Sequence, residues 1–435
     1  MDGDWESAPD PSPPRLHVRA TVRSSSGTSS GTSSKPNSTI AKRPAGAGFA
    51  SSASSTPRKK TAAGRHDEED AEENTHISGI AINVGYRPVR HGALRVASDC
   101  SGWCSELWAL KGMDIKVEHV FTSEIEPAAM RLMKKLWGVH RVFPDLTKRD
   151  HLAIHAKIDL YVAGIPCQPF SRQGLHFGIR DQRGIIFFHV LAFLTSNEPE
   201  AFVIENVASL VTDHAETFRA MIAMLSDIGD GHAKTYTVSW KILHTNEHGL
   251  PQHRERVFVI GIKTTSMVQP FTWPTTTKMR SLTSILDLAP NLPSADEHKF
   301  NATNLKNLLA ITERYTNKSN KLLEVENVCN IGGSSPHNME NMCPCLTKSR
   351  ASQRAYYSFS RQRSLTIQDM CRLQGVPAMD IKGWDSVVTG PQIGGIIGNA
   401  IPVCLMERVL HATLSSLGHF VEPDRWLSAD TVPLA

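Results

Sequence analysis

The feature that most constrains this fold is an alternation of short β-branched runs with helical stretches between residues 94 and 262. Apolar runs of strand length predict β-strands at 94–97, 117–123, 158–165, 201–207, 236–243 and 257–262. Helical spacing of apolar residues predicts helices that begin at Glu126 and His214. Strands separated by helices favour an α/β domain with a mostly parallel sheet. Ligands of such sheets bind at the carboxyl ends of the strands, so we expect a site there.

The first 78 residues have a different composition, rich in Ser, Gly, Ala and Pro. Such a segment buries too little apolar area to offset its ordering entropy, and it is predicted to be a disordered tail over 1–78. Its basic pieces at 41–44 and 57–60 are interpreted as a nuclear address or a phosphate-binding arm, and solvated linker charge explains them equally well. The cysteines indicate a reducing compartment. Together with the basic segments, this predicts nuclear localisation.

Composition narrows the class of protein further. The 435 residues are 40% hydrophobic, and no apolar run reaches membrane-spanning length, so no membrane partner or secretion is expected. The eight cysteines are sparse and include no Cys-x-x-Cys pair, so they are interpreted as small buried residues rather than disulfides or metal ligands. A net charge of +4 permits a polyanionic partner. The sequence identifies no protein partner.

The stretch GIPCQPFS at 164–171 directly follows a predicted strand. Two prolines and a polar amide would disrupt a buried ladder, so Cys167 is expected in a loop at the strand end. A nucleophilic cysteine needs such a partly exposed loop and an acid or base nearby.

Charged residues follow two further predicted strands. Glu205 in IENV is expected at the same sheet edge as Cys167, as a helix-cap partner or a ligand contact. Arg254 and Arg256 in GLPQHRERVFVIGI stand two residues apart at the start of a strand, so their side chains share one face. They fit surface charge, and they equally fit recognition of a base edge or a phosphate.

These motifs occur in a fixed order. GIPCQPFS is followed by DQRGIIFF at 181–188, ENV at 205–207, GLPQHRERVFVIG at 249–261, RSLTIQDMCRLQGVP at 363–377 and GNAIP at 398–402. In this order the chain resembles the DNA (cytosine-5)-methyltransferase family. The resemblance implies a Rossmann-like S-adenosylmethionine-dependent methyltransferase fold. It also implies a catalytic and cofactor-binding domain at 90–263, a target-recognition domain at 264–345 and a return to the catalytic domain at 346–420.

The resemblance also implies how each residue takes part in the reaction. Cys167 matches the nucleophile that adds to carbon 6 of a cytosine flipped out of double-stranded DNA. Glu205 matches the acid at ring nitrogen 3, Arg256 the contact to the base oxygen, and Arg254 its support. Residues 171–184 match the loop that closes over the base. The implied substrate contacts are Gln168, Ser171, Gln252 and Arg363.

Cofactor contacts to S-adenosylmethionine are implied in the same way. The matching residues are Cys100, Gly102, Trp103, Glu124, Ile125, Asp145, Leu146, Pro166, Ile186, Asn399 and Ile401. The first loop, SDCSGWCS at 98–105, departs from the family's glycine-rich pattern, since Cys100 replaces an aromatic residue and Cys104 and Ser105 replace glycines. A glycine permits the close backbone approach that a cofactor requires.

Two alternatives to a DNA enzyme remain open. One is a tRNA cytosine-5 methyltransferase of the same fold, although the late Cys-Phe-Thr motif typical of that branch is missing from the sequence. The other is a catalytically silent relative that only binds nucleic acid, which the altered first loop favours and the intact set at Cys167, Glu205, Arg254 and Arg256 opposes. Target choice is expected to reside in 264–345, and the sequence does not identify the flanking bases.

Overall fold

The computed structural model describes residues 92–166, 185–286, 300–316 and 325–420. The predicted tail at 1–78 and Cys167 lie outside these ranges. The helices are α1 Ser105–Gly112, α2 Pro127–Trp137, α3 Ile185–Asn197, α4 Ser209–Thr212, α5 Ala215–Ser226, α6 Ala302–Thr316, α7 Lys348–Ser352, α8 Ile367–Leu373, α9 Gly390–Asn399 and α10 Val403–Ser416. The strands are β1 Leu94–Asp99, β2 Val117–Ser123, β3 Val142–Phe143, β4 Leu160–Gly164, β5 Ala201–Val207, β6 Tyr236–His244, β7 Gln252–His253, β8 Glu255–Lys263, β9 Asn327–Asn330, β10 His337–Glu340, β11 Cys343–Pro344, β12 Tyr356–Ser358 and β13 Arg363–Ser364.

A seven-stranded sheet in the order β3-β2-β1-β4-β5-β8-β6 organises the fold. The first five strands of that order pair in parallel, and β8 pairs antiparallel with both β5 and β6. Each of the six predicted strands is present in this sheet, and the helices predicted from Glu126 and His214 are α2 and α5. The prediction of a mostly parallel α/β sheet is confirmed.

Helices cover both faces of the sheet. Neighbouring residues of a strand point to opposite faces, so each strand contributes side chains to both hydrophobic clusters. In β4, Leu160 and Val162 join one hydrophobic cluster, and Tyr161 and Ala163 join the other. Helices α1, α2, α9 and α10 pack on the first face, and α3 and α5 pack on the second. The carboxyl ends of β1, β2, β4 and β5 are therefore held between two helical layers.

A second, four-stranded sheet has the order β10-β9-β12-β13. It joins strands from 327–340 with strands from 356–364, so it spans residue 345, where the expected recognition domain ends. Within the described ranges no single helix is long and apolar enough to cross a membrane, and only α9 with α10 meets those criteria as a pair bent by 42°.

Candidate active site

Gly164, the last residue of β4, marks the point where the predicted site residues meet. A Cβ atom placed there would lie 3.3 Å from the carbonyl oxygen of Cys100, 3.6 Å from Cδ1 of Ile401 and 4.0 Å from Oε2 of Glu205. Cys167 follows three residues later in the sequence and lies outside the described residues. The described site is therefore a junction of the first loop, the end of β5 and the segment that follows α9.

Glu205 and Arg256 form an ion pair beside this junction. Strand β8 pairs antiparallel with β5, which sets Arg256 opposite Val207 and brings its Nε atom 2.9 Å from Oε1 of Glu205. Glu205 is only 8% exposed. Burial raises the pKa of the Glu205 carboxyl, and the positive charges of Arg256 and Arg254 partly offset that rise. A carboxyl with a raised pKa is suited to hold a proton for transfer.

Arg254 is a buried anchor for the segment after α9. Its side chain is 2% exposed, and its guanidinium donates to the carbonyl oxygens of Gly398 at 3.2 Å and Ala400 at 2.6 Å. It also donates to the carbonyl oxygen of Leu346. Arg254 thus fixes the backbone that carries Asn399 and Ile401, both of which are expected to contact the cofactor.

The first loop connects β1 to α1 in a left-handed conformation. Gly102 has φ +57°, Cys100 has φ +53° and Cys104 has φ +62°. Left-handed backbone favours glycine because a Cβ atom crowds the following carbonyl. The loop therefore keeps a glycine-like backbone at positions where this chain has cysteines, and the open space around Cα of Gly102 lets a ligand approach closely.

Glu124, which follows β2, closes the loop. Its Oε2 accepts from the backbone N–H of Gly102 at 2.7 Å, and its Oε1 accepts from that of Glu126 at 2.8 Å. Next to it, Ile125 is 75% exposed, although it is a large apolar side chain. A carboxylate beside an exposed apolar side chain fits the hydroxyls and the flat base of a nucleoside.

Asp145 caps the short turn that follows β3. Its Oδ1 accepts from the backbone N–H of Thr147 at 3.0 Å and from the Thr147 hydroxyl at 2.7 Å, which lowers the pKa of Asp145. Leu146 is buried beside it. Asp145 is therefore charged, and its second oxygen, Oδ2, lies 3.4 Å from Nζ of Lys148.

Trp103 differs from the other residues expected at the cofactor, since its ring is buried in the core and only 1% exposed. Its Nε1 donates to Oγ of Ser105 at 2.9 Å, and that hydroxyl donates to the carbonyl oxygen of Ile401 at 2.8 Å. The Trp103 ring thus lies in the core, and its carbonyl oxygen accepts from Nε1 of Trp137 at 3.2 Å. Of the remaining expected contacts, Pro166 and Ile186 are half-buried and Asn399 is exposed at the end of α9.

The residues present fit S-adenosylmethionine. The space above Gly102 and the carboxylate of Glu124 stand at the carboxyl edge of the parallel strands, where α/β sheets bind nucleotides. Apolar surface comes from Ile401, whose Cδ1 lies 3.6 Å from a Cβ placed on Gly164, and from Ile125, which is 75% exposed. The altered loop therefore keeps open space at Gly102, where no atom lies within 4 Å of a Cβ placed on it.

The expected substrate contacts fall into two groups. Gln168 and Ser171 lie outside the described residues. Gln252 is fully buried, its Nε2 donates to the carbonyl oxygen of Leu373 at 2.7 Å, and Arg363 pairs with the buried Asp369 at 2.5 Å. Contact of Gln252 and Arg363 with the substrate remains a prediction. The partners inside the protein do not favour it, because they already occupy the two side chains.

Sequence reasoning missed several residues that shape the site. Ser105 bridges the first loop to Ile401, and Asp99 forms a buried ion pair with Arg149. The partners in these contacts are 296 and 50 positions apart in the sequence, and no local pattern predicts them. The one available signal was the position of Asp99 within the stretch at 98–105, directly before Cys100.

Comparisons with known proteins agree with this geometry. The C-5 cytosine-specific DNA methylase family model matches residues 108–415. Type II methyltransferase M.NgoBI of Neisseria gonorrhoeae is 30% identical over 295 residues, covering 66% of this chain and 84% of that protein. Type II methyltransferase M.NgoBV of the same species is 37% identical over 155 residues, and that alignment spans 35% of this chain and only 36% of the relative. The crystal structure of S. pombe Dnmt2 methyltransferase superposes with a TM-score of 0.53 at 20% identity, covering 74% of this chain and 99% of that one.

The fold is that of a Rossmann-like methyltransferase. The chain belongs to the C-5 cytosine-specific DNA methylase family. The predicted family and fold class are therefore confirmed. With the family come the enzyme class, methylation of carbon 5 of cytosine in DNA, and the methyl donor S-adenosylmethionine.

Proposed function

We propose that this protein methylates cytosine in double-stranded DNA through a covalent adduct between Cys167 and a flipped base. The observation that carries the proposal is the Glu205–Arg256 pair, which lies at the carboxyl edge of the sheet beside the end of β4. Gly164 pairs with Glu205 across the sheet, and the sequence continues from Gly164 to Cys167. The acid, the guanidinium and the end of the strand that precedes Cys167 in the sequence thus lie at one edge of the sheet.

Glu205 serves as the general acid in this proposal. The Cys167 thiolate adds to carbon 6, and the electron pair displaced from the ring reaches nitrogen 3, where the proton of Glu205 is received. Burial raises the pKa of Glu205, so the protonated form persists to higher pH than an exposed carboxyl allows. The resulting enamine makes carbon 5 nucleophilic.

Arg256 is the second group that faces the base. Its Nη1 is held by the carbonyl oxygen of Glu255 at 2.6 Å, and its Nε contacts Glu205. Held at both ends in this way, the guanidinium is pre-organised to donate to the base oxygen as negative charge develops. Arg254 supports the site from the core through the carbonyl oxygens of Gly398 and Ala400.

S-adenosylmethionine, when bound, supplies the electrophilic methyl group. Glu124 and Asp145 would hold its polar groups, while Ile125 and Ile401 would contact its apolar surface. After methylation the proton on carbon 5 leaves, the bond between carbon 6 and sulfur breaks, and the Cys167 thiolate is released with 5-methylcytosine as product.

A trapping experiment tests this proposal. The full chain is incubated with S-adenosylmethionine and duplex DNA containing 5-fluorocytosine, in which fluorine blocks the final loss of the proton. The covalent adduct is measured on a denaturing gel. Cys167→Ala is expected to abolish the adduct, and Glu205→Gln to slow its formation about 100-fold.

Other arms of the experiment separate the alternatives. Single-stranded DNA and tRNA carrying the same analogue replace the duplex in parallel reactions. An adduct with tRNA alone would reject the DNA substrate, and an adduct with single-stranded DNA alone would reject the duplex. A folded protein that binds duplex DNA without forming an adduct would reject the covalent mechanism and favour the silent alternative.

Nuclear localisation remains a prediction, because the basic segments at 41–44 and 57–60 lie outside the described residues. The bacterial origin of the relatives named above gives it no support. Fluorescence of a fusion protein in a nucleated cell, with Arg58, Lys59 and Lys60 changed to alanine in a second fusion, would test it.

A further inference from the structure

Arg149 is a fully buried arginine that follows the Asp145 turn. Its Nη1 and Nη2 atoms lie 2.6 Å and 2.7 Å from the two carboxylate oxygens of Asp99. Nη1 also donates to Oγ of Ser123 at 2.9 Å, and Nε contacts Nδ1 of His151 at 3.3 Å. Neither the Arg149 nor the Asp99 side chain is exposed. All three nitrogens of the guanidinium thus donate to a partner.

These partners immediately adjoin the segments expected to hold the cofactor. Asp99 ends β1 and precedes Cys100, Ser123 ends β2 and precedes Glu124, and Arg149 itself lies four residues after Asp145. One side chain therefore connects the first loop, the Glu124 segment and the Asp145 turn from the core side. The hydroxyl of Tyr161 in β4 donates to the same Asp99 carboxylate at 2.6 Å.

The surroundings of Arg149 include aromatic rings, so stability alone does not explain an ion pair at this position. Its guanidinium carbon lies 4.6 Å from the ring centroid of Phe121 and 4.9 Å from that of Phe193. In such an apolar environment the desolvation of two charges offsets much of their attraction, and apolar side chains of similar volume stabilise a core equally well. A bidentate arginine differs from apolar side chains because its two parallel hydrogen bonds fix both the distance between the segments that it joins and their relative orientation.

We infer that Arg149 is a positioning residue for S-adenosylmethionine, which sets the relative places of the three cofactor-binding segments without contacting the cofactor. The inference rests on the cofactor site of the proposed function. It assigns to Arg149, Asp99 and Ser123 the pre-organisation that the altered first loop needs, since that loop holds cysteines in left-handed backbone.

The test replaces the polar cluster by apolar residues in the full chain. The triple variant Asp99→Leu, Arg149→Met and Tyr161→Phe leaves no carboxylate, guanidinium or phenol unpaired in the core. Binding of S-adenosylmethionine is measured by calorimetry without DNA, and folding by thermal unfolding. We expect cooperative unfolding to persist and the Kd to rise at least about 10-fold, which equals about 1.4 kcal/mol. The kcat at saturating cofactor should fall much less.

Arg95 and Asp159 provide a matched control. They also form a bidentate ion pair between the β1 and β4 regions, with Nη2 of Arg95 2.6 Å from Oδ1 and Nε 3.0 Å from Oδ2 of Asp159. This pair joins the start of β1 to the residue before β4, at the edge of the sheet opposite the site. The double variant Arg95→Met and Asp159→Leu is expected to keep the parental Kd.

A parental Kd in the triple variant would overturn the inference, as would equal weakening in the control, which would indicate a general loss of rigidity. Should the triple variant fail to fold, Arg149→Lys decides, because a single ammonium cannot bridge both oxygens and Ser123: an unchanged Kd overturns the inference, and a raised Kd supports it. Failure of the proposed function is distinguishable, since it leaves cofactor binding intact and DNA unmodified.

Discussion

The Nε atom of Arg256 lies 2.9 Å from Oε1 of Glu205 at the carboxyl edge of the sheet, where Glu205 is buried and Arg256 is partly buried. The pKa of Glu205 is raised by burial and lowered in part by Arg256. Catalysis by the protonated acid declines as pH rises through this pKa. Because Arg256→Gln removes a positive charge, the Glu205 pKa should rise further. We therefore expect the alkaline limb of kcat/KM to move to higher pH, while the rate itself falls about 100-fold.

This shift would be measured as initial rates of methyl transfer to duplex DNA at a series of pH values from about 6 to about 10. Glu255→Gln is the control, since this carboxylate lies next to Arg256 in β8 but faces His244 at 3.5 Å. An alkaline limb that stays in place in Arg256→Gln, or moves equally in Glu255→Gln, would contradict the assignment of Glu205 as the acid.

Gly398 in α9 is expected to tolerate no side chain. A Cβ atom there would lie 2.4 Å from the backbone oxygen of Thr347, whereas one at Gly395 would find its nearest neighbour, Cγ of Lys348, at 3.5 Å. Gly398→Ala should therefore destabilise the fold by about 2 kcal/mol, and Gly395→Ala should be neutral or stabilise it by up to about 1 kcal/mol. Urea unfolding of both variants measures the difference.

The same substitution should weaken activity, because the carbonyl oxygen of Gly398 accepts from Arg254 at 3.2 Å. Activity is compared at a temperature at which Gly398→Ala remains folded. Equal stability of the two alanine variants would show that α9 and α7 do not pack as closely as described.

The strand pattern predicted much of this fold and part of the site. Alternating β-branched runs locate β1, β2, β4, β5, β6 and β8, and the parallel arrangement then brings Glu205 to the edge where the strand before Cys167 ends. The second sheet was not predicted, because its strands have two to four residues and mostly polar sequences. Such short runs show no clear alternation.

Buried polar partners were beyond local sequence patterns. Nothing around Arg149 shows that it enters an aromatic core to meet Asp99, since their pairing depends on how β1 and the Asp145 turn pack. Gln252 shows the same limit, because a polar residue in a family motif predicts a substrate contact, while the local sequence does not show that its amide bonds to backbone groups in the core. Only tertiary packing distinguishes these cases.

The two left-handed cysteines of the first loop should respond differently to glycine. Cys100 is half-buried, so Cys100→Gly mainly releases backbone strain, and we expect a gain of roughly 0.5–1 kcal/mol in the free energy of unfolding. Cys104 has a similar φ, but its thiol is fully buried in the core. Cys104→Gly leaves a cavity, so a loss of about 1 kcal/mol is expected. Chemical denaturation under reducing conditions measures both, and a loss in Cys100→Gly would contradict the strain argument.

Glu106, in the first turn of α1, links the stability of the fold to pH. Its carboxyl is buried, and Oε1 has no hydrogen-bond partner in the described part of the chain. Burial raises the pKa of Glu106 to about 7, although a hydrogen bond with Ser98 lowers it in part. The folded state therefore holds a proton that the unfolded state has lost. This contribution to stability is fully present below the unfolded pKa of about 4.5 and is lost as pH rises through about 7.

Glu106→Gln replaces the titrating group with a neutral one of the same shape. Relative to wild type, the variant should gain stability as pH rises, by up to about 3 kcal/mol between pH values near 4 and 8. Urea unfolding at a series of pH values measures this difference, with Glu118→Gln, an exposed carboxylate on β2, as the control for charge removal. If the difference between wild type and Glu106→Gln stays constant with pH, Glu106 ionises in the folded state as it does in the unfolded chain. Its burial beside the cofactor loop would then not control its charge.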